Sequence, residues 1–251
     1  MNIIDTHAHI GTSKFSGVTI TEEDLIKAMR ENFVKAALVL PQAVDFEEVQ
    51  QVHKKIYVLS KKYPDQIFGV ACVDPWSGEK DFLKEVARCI EEYGFKALKI
   101  NSHGHNISPL SPNCEKVYRA AAHYGIPVIL HTGLGTPVSL PSLVIKPALA
   151  YPEVVFILAH AGFALYTDEA IIAGEICSNI FLEPSWCPTF AVIKMIRNLG
   201  IERILMGSDH LTNLPLEVLK YKCIGLTEKE QTYIYFNNPN RVFRLGLNPD
   251  K

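Results

Sequence analysis

Two segments, Pro127-Val128-Ile129-Leu130-His131 and Val154-Val155-Phe156-Ile157-Leu158-Ala159-His160, decide the fold prediction. Each is an almost uninterrupted apolar run that ends in a histidine. A strand without polar alternation is buried on both faces, which is typical of parallel strands covered by helices. A candidate helix near residues 140–150 lies between the two runs. Together they predict consecutive β-strand–α-helix units in a parallel sheet.

Six further runs of the same kind make a set of eight, which centre on residues 3–4, 37–40, 68–71, 97–100, 180–182 and 203–206. Further candidate helices lie near 21–33, 45–62, 78–93, 113–124, 167–177, 188–199 and 215–236, and a short closing helix is predicted within 237–245. Eight units in 251 residues predict an α/β fold, the (β/α)₈ TIM barrel, as a single domain over residues 1–251. An open doubly wound sheet is the alternative, but neither a Gly-x-Gly-x-x-Gly turn nor a Walker-type loop supports it.

Composition indicates an ordinary globular protein, with 48% hydrophobic residues, 21% charged residues and a net charge of -2. This balance provides no general field for nucleic acid or an anionic membrane, so we expect neither as a partner. The six cysteines are spread along the chain without a Cys-x-x-Cys pair, which is typical of reduced thiols. With no signal-peptide pattern and no apolar run of membrane length, we expect a cytoplasmic protein.

Polar residues that can bind metal follow four of the eight runs. His7 and His9 end the first, His131 the fifth, His160 the sixth and Asp209 the eighth. In a barrel, the carboxyl ends of the strands meet at one face, where chemistry is concentrated. His7 and His9 share a face of an extended strand because side chains alternate.

Each of these residues alone has a structural alternative, as a buried polar group bonded to backbone or as a loop acid. Their convergence argues otherwise, because burying several imidazoles and a carboxylate together without a cation is costly. A divalent metal removes that cost. The sequence therefore predicts a metal site at the carboxyl face of the barrel.

The chain resembles the amidohydrolase superfamily and, within it, the amidohydrolase-2 branch that includes aminocarboxymuconate-semialdehyde decarboxylase. The matching motifs occupy residues 4–9, 94–100, 125–133, 156–162, 204–209 and 238–241, in the order typical of the family. The set is specific for the superfamily but not for a substrate.

The resemblance implies that His7, His9, His131 and Asp209 hold one divalent ion and leave a position for water. Zinc is the first choice, and manganese, iron or cobalt also suit nitrogen and oxygen ligands. His160 is implied to be a catalytic acid or base, and Asp209 is implied to handle a proton as well as contact the metal. Barrels of this branch are commonly dimers, which implies a homodimer.

Lys99 lies on the fourth run and shares a face with Ala97 and Asn101. Some members of the superfamily carry a carbamylated lysine here that bridges two metals. We prefer Lys99 as a charged group near the metal or substrate, because a buried lysine needs such a partner.

Several other residues are predicted to contact substrate. His103 and His105 lie in a polar, Gly-containing loop after the fourth run, where substrate contact is the first choice, followed by solvent exposure and then a second metal. Glu183, Trp186 and His210 follow later runs and are predicted to line the pocket in the same way.

The leading functional prediction is a metal-dependent hydrolase that acts on a small carbonyl compound, such as an ester, lactone or amide, through a metal-activated water. The alternative is a metal-dependent, non-oxidative decarboxylase of a small carboxylic acid. A non-catalytic metal-binding barrel and a phosphoesterase rank below these two.

Overall fold

The sheet forms the centre of the molecule in the computed structural model, which describes residues 2–14, 16–42, 46–133 and 136–249. Seven strands are parallel neighbours in chain order: β1 (Ile3–Thr12), β3 (Val34–Pro41), β4 (Ile67–Ala71), β5 (Ala97–Ile100), β6 (Val128–His131), β7 (Phe156–Ala159) and β8 (Ile180–Glu183). They match seven of the eight predicted runs. A short strand that was not predicted, β2 (Thr19–Ile20), pairs antiparallel with the end of β1.

The eighth predicted run, residues 203–206, closes the sheet without forming a regular strand. It makes a single parallel bridge, from Leu182 to Ile204, and the Leu205 N–H donates to the Leu182 carbonyl at 2.9 Å. On the other side, the Thr6 N–H donates to the Met206 carbonyl at 2.9 Å. These bonds connect β8 to β1 through residues 204–206, which we call the closing seam. The prediction of a (β/α)₈ α/β barrel is confirmed.

Helices follow the strands and cover the outer face of the sheet. The bounds are α1 (Glu22–Glu31), α2 (Phe46–Lys62), α3 (Glu79–Ala87), α4 (Glu115–Tyr124), α5 (Ile145–Ala150), α6 (Thr167–Ile176), α7 (Thr189–Leu199), α8 (Leu214–Cys223), α9 (Glu228–Thr232) and α10 (Asn238–Val242). Residue 45, the first of the second predicted helix, lies outside the described residues. No helix in the described part of the chain is long and apolar enough to cross a membrane.

The prediction of one helix over residues 215–236 was wrong. The helix ends at Cys223, and Gly225 takes a left-handed φ of +79° before α9 begins. Thr227 then accepts a hydrogen bond from the Glu230 N–H while the Glu230 side chain bonds the Thr227 N–H. This reciprocal cap starts a new helix, because it satisfies backbone donors that have no partner within the helix.

Two groups of buried residues occupy opposite faces of the strands. Alternate positions such as Leu38, Ile129 and Phe181 belong to one apolar cluster, and the intervening positions pack in a larger cluster with the helices. The first cluster is the barrel interior. His131 lies two residues after Ile129 on the same face of its strand, and Glu183 lies two residues after Phe181. The interior rows of the strands therefore end in polar side chains at the carboxyl face.

Candidate metal centre

A cavity of about 210 Å³ opens at the carboxyl face of the barrel. Most of its lining residues are of polar types, and the strands supply the residues at its floor. The lining residues are His7, His9, Ser13, Gln42, Lys99, Asn101, His103, His131, His160, Phe163 and Asp209.

His7 and His9 present bare ring nitrogens to each other. The Nδ1 of His7 lies 2.8 Å from Glu183 Oε2, and the Nδ1 of His9 lies 3.2 Å from the Pro41 carbonyl. When Glu183 is ionised, both partners only accept, so each Nδ1 carries the proton and each Nε2 carries a lone pair. The two Nε2 atoms are 3.1 Å apart. Two lone pairs at this distance repel each other unless a cation lies beside them, and either the Lys99 ammonium, 3.2 Å from His7 Nε2, or a metal ion can supply it.

His160 is oriented in the same way through a relay. The Ser185 hydroxyl donates to Glu183 Oε2 at 3.1 Å, so its oxygen accepts from His160 Nδ1 at 2.7 Å. The Nε2 of His160 therefore also carries a lone pair, and it lies 3.9 Å from Asp209 Oδ1. Burial lowers the pKa of His160 to about 3. His160 is thus uncharged at neutral pH, with its Nε2 lone pair at the cavity wall.

Asp209 supplies the negative charge of the centre. Its Oδ1 lies 3.5 Å from His7 Nε2 and 3.4 Å from His9 Nε2. Burial raises the pKa of Asp209, and positive charge at His160, His9 and His7 lowers it well below its ordinary value. With these imidazoles neutral, a bound cation is the positive charge that would keep the carboxylate ionised.

His131 and Lys99 complete the floor of the cavity. The ring of His131 lies 4.7 Å from the ring of His160. Among the described residues, none makes a hydrogen bond with the buried Nε2 of His131. Lys99 donates from Nζ to His7 Nε2 at 3.2 Å, and burial lowers its pKa.

These donor atoms fit a divalent cation. The metal-binding atoms of His7, His160 and Asp209 lie within 4.8 Å of one another. His9 adds a lone pair, and no described residue makes a hydrogen bond with the buried His131 Nε2. An imidazole that gives its other N–H to a carboxylate, as His7 does, is typical of a metal ligand.

The loop after β7, which begins with His160, has a strained backbone. Five consecutive residues, 160–164, have positive φ values between 42° and 82°, and only Gly162 among them is a glycine. The Gly162 N–H donates to Thr132 Oγ1 at 3.2 Å, and the Cys187 thiol donates to the His160 carbonyl at 3.1 Å. Left-handed residues other than glycine cost about 1–2 kcal/mol each, and such strain often accumulates at functional sites.

Four residues predicted to contact substrate lie elsewhere. The described lining of the cavity does not include His105, Glu183, Trp186 or His210. Glu183 is 1% exposed and lies beneath the histidines. There it accepts hydrogen bonds from His7 Nδ1 and the Ser185 hydroxyl. Trp186 donates from Nε1 to Asp209 Oδ2 at 2.7 Å.

The remaining two of the four lie on loops with other contacts. The His105 carbonyl accepts from Trp76 Nε1 at 2.9 Å, and His210 Nδ1 lies 2.9 Å from Thr212 Oγ1. His103, in contrast, lines the cavity, and its ring centroid lies 5.7 Å from that of His131.

Sequence reasoning missed the residues that hold the site together. Asp5 accepts from the Ser208 N–H at 2.9 Å and the Ser208 hydroxyl at 2.5 Å, which ties β1 to the segment that carries Asp209. Ser185 connects Glu183 to His160. Asp5 could have been found from the sequence, because it is an acidic residue two positions before a predicted metal ligand, His7. The sequence around Ser185 contains no comparable signal.

A second cluster of side chains that could bind metal, His53, Glu85 and Cys89, lies between the outer helices, but it does not suit a metal. His53 Nδ1 is 2.7 Å from Glu85 Oε1, and Cys89 Sγ is 3.4 Å from the same nitrogen. However, the Cys72 N–H donates to His53 Nε2 at 3.0 Å. This bond places the ring proton on Nδ1, where a metal would have to bind. The cluster is therefore a buried hydrogen-bond network.

Comparison with known proteins places the fold in a known group. A family model described as "Amidohydrolase" matches residues 4–245. No curated protein matches the chain. An uncharacterised TIM-barrel protein from Bordetella bronchiseptica has a TM-score of 0.79 at 15% identity, and covers 98% of this chain and 99% of its own.

Two similar solved structures are decarboxylases. The 2,6-dihydroxybenzoate decarboxylase from Rhizobium has a TM-score of 0.77 at 15% identity, with 98% of this chain and 100% of that chain covered. A dihydroxybenzoic acid decarboxylase from Polaromonas, solved with manganese and 2-nitroresorcinol, has a TM-score of 0.76 at 16% identity, with 99% and 98% covered.

Proposed function

Because the chain belongs to the amidohydrolase family, we propose that it is a metal-dependent hydrolase of a small carbonyl compound. One observation carries the proposal. The hydrogen bonds around the cavity leave His160 Nε2 and Asp209 Oδ1 as proton acceptors 3.9 Å apart, beside the bare nitrogens of His7 and His9. Hydrolysis begins with removal of a proton from water, so it requires such acceptors.

His7, His9, His131 and Asp209 would hold one divalent ion in this proposal. When bound, such an ion acts as a Lewis acid and lowers the pKa of a water ligand to about 7. Zinc is the first choice for three imidazoles and a carboxylate, and manganese, iron or cobalt are alternatives. Manganese in the Polaromonas decarboxylase shows that a barrel of this shape can hold a divalent ion in another protein.

The side chains then divide the remaining work. The attacking water loses a proton to Asp209 or His160 as its oxygen bonds to the carbonyl carbon. The proton passes to the leaving oxygen or nitrogen when its bond to that carbon breaks. Lys99, whose Nζ reaches the cavity floor, is placed to stabilise negative charge on the carbonyl oxygen.

The cavity also restricts the substrate. Its volume of about 210 Å³ and its mostly polar residue types suit a small carbonyl compound with polar groups. Phe163 is the one apolar residue of the described lining, and its ring centroid lies 4.6 Å from that of His160. An ester, lactone or amide with one small apolar group fits this surface.

Decarboxylation of a small acid is the second candidate, and Lys99 favours it. Lys99 is the one lysine or arginine in the described lining, and an ammonium at the cavity floor could pair with a carboxylate. The two decarboxylases with similar folds are consistent with this chemistry. In this reaction a group in the cavity must deliver a proton to carbon after carbon dioxide leaves.

A substrate panel on the metal-loaded protein tests both candidates. We expect Zn²⁺- or Mn²⁺-loaded protein to hydrolyse small esters, lactones or amides, with one acid released per turnover and loss of activity on chelation. Release of carbon dioxide from small aromatic or unsaturated acids, without hydrolysis, would favour the second candidate. Stoichiometric metal binding without turnover of either panel would contradict both.

A further inference from the structure

Trp186 contacts the carboxylate of Asp209 from outside the cavity. Its Nε1 donates to Oδ2 at 2.7 Å, while Oδ1 faces His7, His9 and His160 at 3.4–3.9 Å. The indole therefore occupies one oxygen and leaves the other for the metal centre. A hydrogen bond to an ionised acceptor is stronger than a neutral one and fixes the orientation of the carboxylate.

A buried network holds Trp186 in place. Its backbone has a left-handed φ of +66°, and its N–H donates to Glu217 Oε1 at 2.8 Å. Glu217 is 1% exposed, and it pairs with Lys220 at 2.6 Å. Asn213 Nδ2 donates to the same Oε1 and to the Ser208 carbonyl, both at 3.0 Å. Helix α8 thus connects the loop that carries Trp186 to the residue that precedes Asp209.

We infer that Trp186 is a positioning residue, which orients Asp209 so that a single oxygen faces the metal centre, and that Glu217 anchors it. This inference rests on the proposed function, because it assumes that Asp209 is a metal ligand. Without the indole N–H, the carboxylate could rotate and offer either oxygen or both. The expected consequence is weaker metal binding and an altered ligand geometry.

The chain offers a matched control because it contains only two tryptophans. Trp76 also donates from Nε1 to an oxygen, the His105 carbonyl at 2.9 Å, but it is not part of the metal centre. The two variants W186F and W76F therefore each remove one indole hydrogen bond and keep an aromatic ring. Trp186 is 42% exposed and Trp76 is 56% exposed, so both variants should fold.

Cobalt(II) binding to the metal-free protein provides the test. In W76F, where Trp186 is the remaining tryptophan, we expect Co²⁺ to quench the fluorescence with wild-type affinity. In W186F we expect Co²⁺ affinity, measured by chelator competition, to fall about 10- to 100-fold, as for other groups that orient metal ligands. The visible absorption of bound Co²⁺ should also change in W186F, because it reports ligand geometry, which a merely structural loss would leave intact.

The outcomes separate this inference from the proposed function. If W186F binds Co²⁺ as tightly as W76F and with the same absorption spectrum, the positioning role is wrong while the metal centre stands. If wild-type protein and W76F bind no Co²⁺, the metal centre fails, and the positioning role fails with it. A selective loss in W186F supports both.

Discussion

The variant Glu183→Gln tests the residue that orients two of the histidines, His7 directly and His160 through Ser185. Glu183 accepts three hydrogen bonds, from His7 Nδ1 at 2.8 Å, the Ser185 hydroxyl at 3.1 Å and the Ser185 N–H at 2.7 Å. An amide of the same shape keeps one acceptor oxygen and turns the other position into a donor. The Ser185 hydroxyl can rotate to accommodate a donor, but the protonated Nδ1 of His7 cannot. His7 would move its proton to Nε2 and lose the lone pair that faces His9.

The magnitude follows from this loss. Removing the partner that orients a metal-bound histidine typically weakens metal binding about 10- to 100-fold, which is about 1.4 to 2.8 kcal/mol. The metal-free protein should not lose stability, because burial and the nearby Glu217 raise the pKa of Glu183 well above its ordinary value. An ionised carboxylate buried there is costly until a cation balances it.

Two assays on Glu183→Gln are therefore expected to give different results. Chelator competition should show weaker Zn²⁺ binding, while denaturant unfolding of the metal-free protein should show no loss of stability. Glu85→Gln is the matched control, because Glu85 also accepts from a buried histidine Nδ1, at 2.7 Å, but outside the metal centre. The reasoning is refuted if Glu183→Gln binds Zn²⁺ with wild-type affinity, or if Glu85→Gln weakens Zn²⁺ binding equally.

Three further predictions concern catalysis, strain and pH. His160→Ala should lower kcat about 10²- to 10⁴-fold, the usual range for a general acid or base, and should leave metal bound by elemental analysis; full activity on a good substrate would disprove the proton-acceptor role. Ala164→Gly should stabilise the protein by about 1 kcal/mol and raise Tm by about 2–4 °C in calorimetry, because Ala164 is exposed and has a φ of 58°, and an unchanged or lower Tm would argue against strain at this position. Burial opposes ionisation of Glu85, but hydrogen bonds from His53 and Arg88 lower its pKa below the ordinary 4.5. The stability advantage of wild type over Glu85→Gln should therefore be full above pH 4.5 and vanish as the pH falls through the lowered pKa. An advantage that stays constant through acid unfolding would contradict this assignment.

Hydrophobic patterning predicts most of the barrel because burial on both faces leaves a clear signal. The runs 154–158 and 180–182 contain most of the observed strands β7 and β8. The signal fails where hydrogen bonding is irregular or brief. Residues 203–206 read as a strand but make a single bridge, and β2 has two residues, too few for any periodicity.

The candidate site is predictable at the level of strand ends and not at the level of orientation. Position on a strand brings His7, His9, His131 and Asp209 to one cavity. It does not reveal that Glu183 lies below the rings, since face alternation gives direction but not depth. Trp186 is similar, because its partner Asp209 is brought to it only by the fold. The left-handed run at 160–164 carries no local signal either, since alanine and phenylalanine disfavour that conformation.

The closing seam also determines when in folding the metal centre can exist. His7 lies on β1, one of the two strands that the seam connects, and Asp209 follows the seam, so the two residues meet only after contacts about 200 residues apart have formed, such as that between Thr6 and Met206. Contacts of such long range form late, because chain entropy opposes them until other structure shortens the loop. A metal ion can therefore stabilise no intermediate that lacks the seam. Its binding should slow unfolding and leave the folding rate almost unchanged.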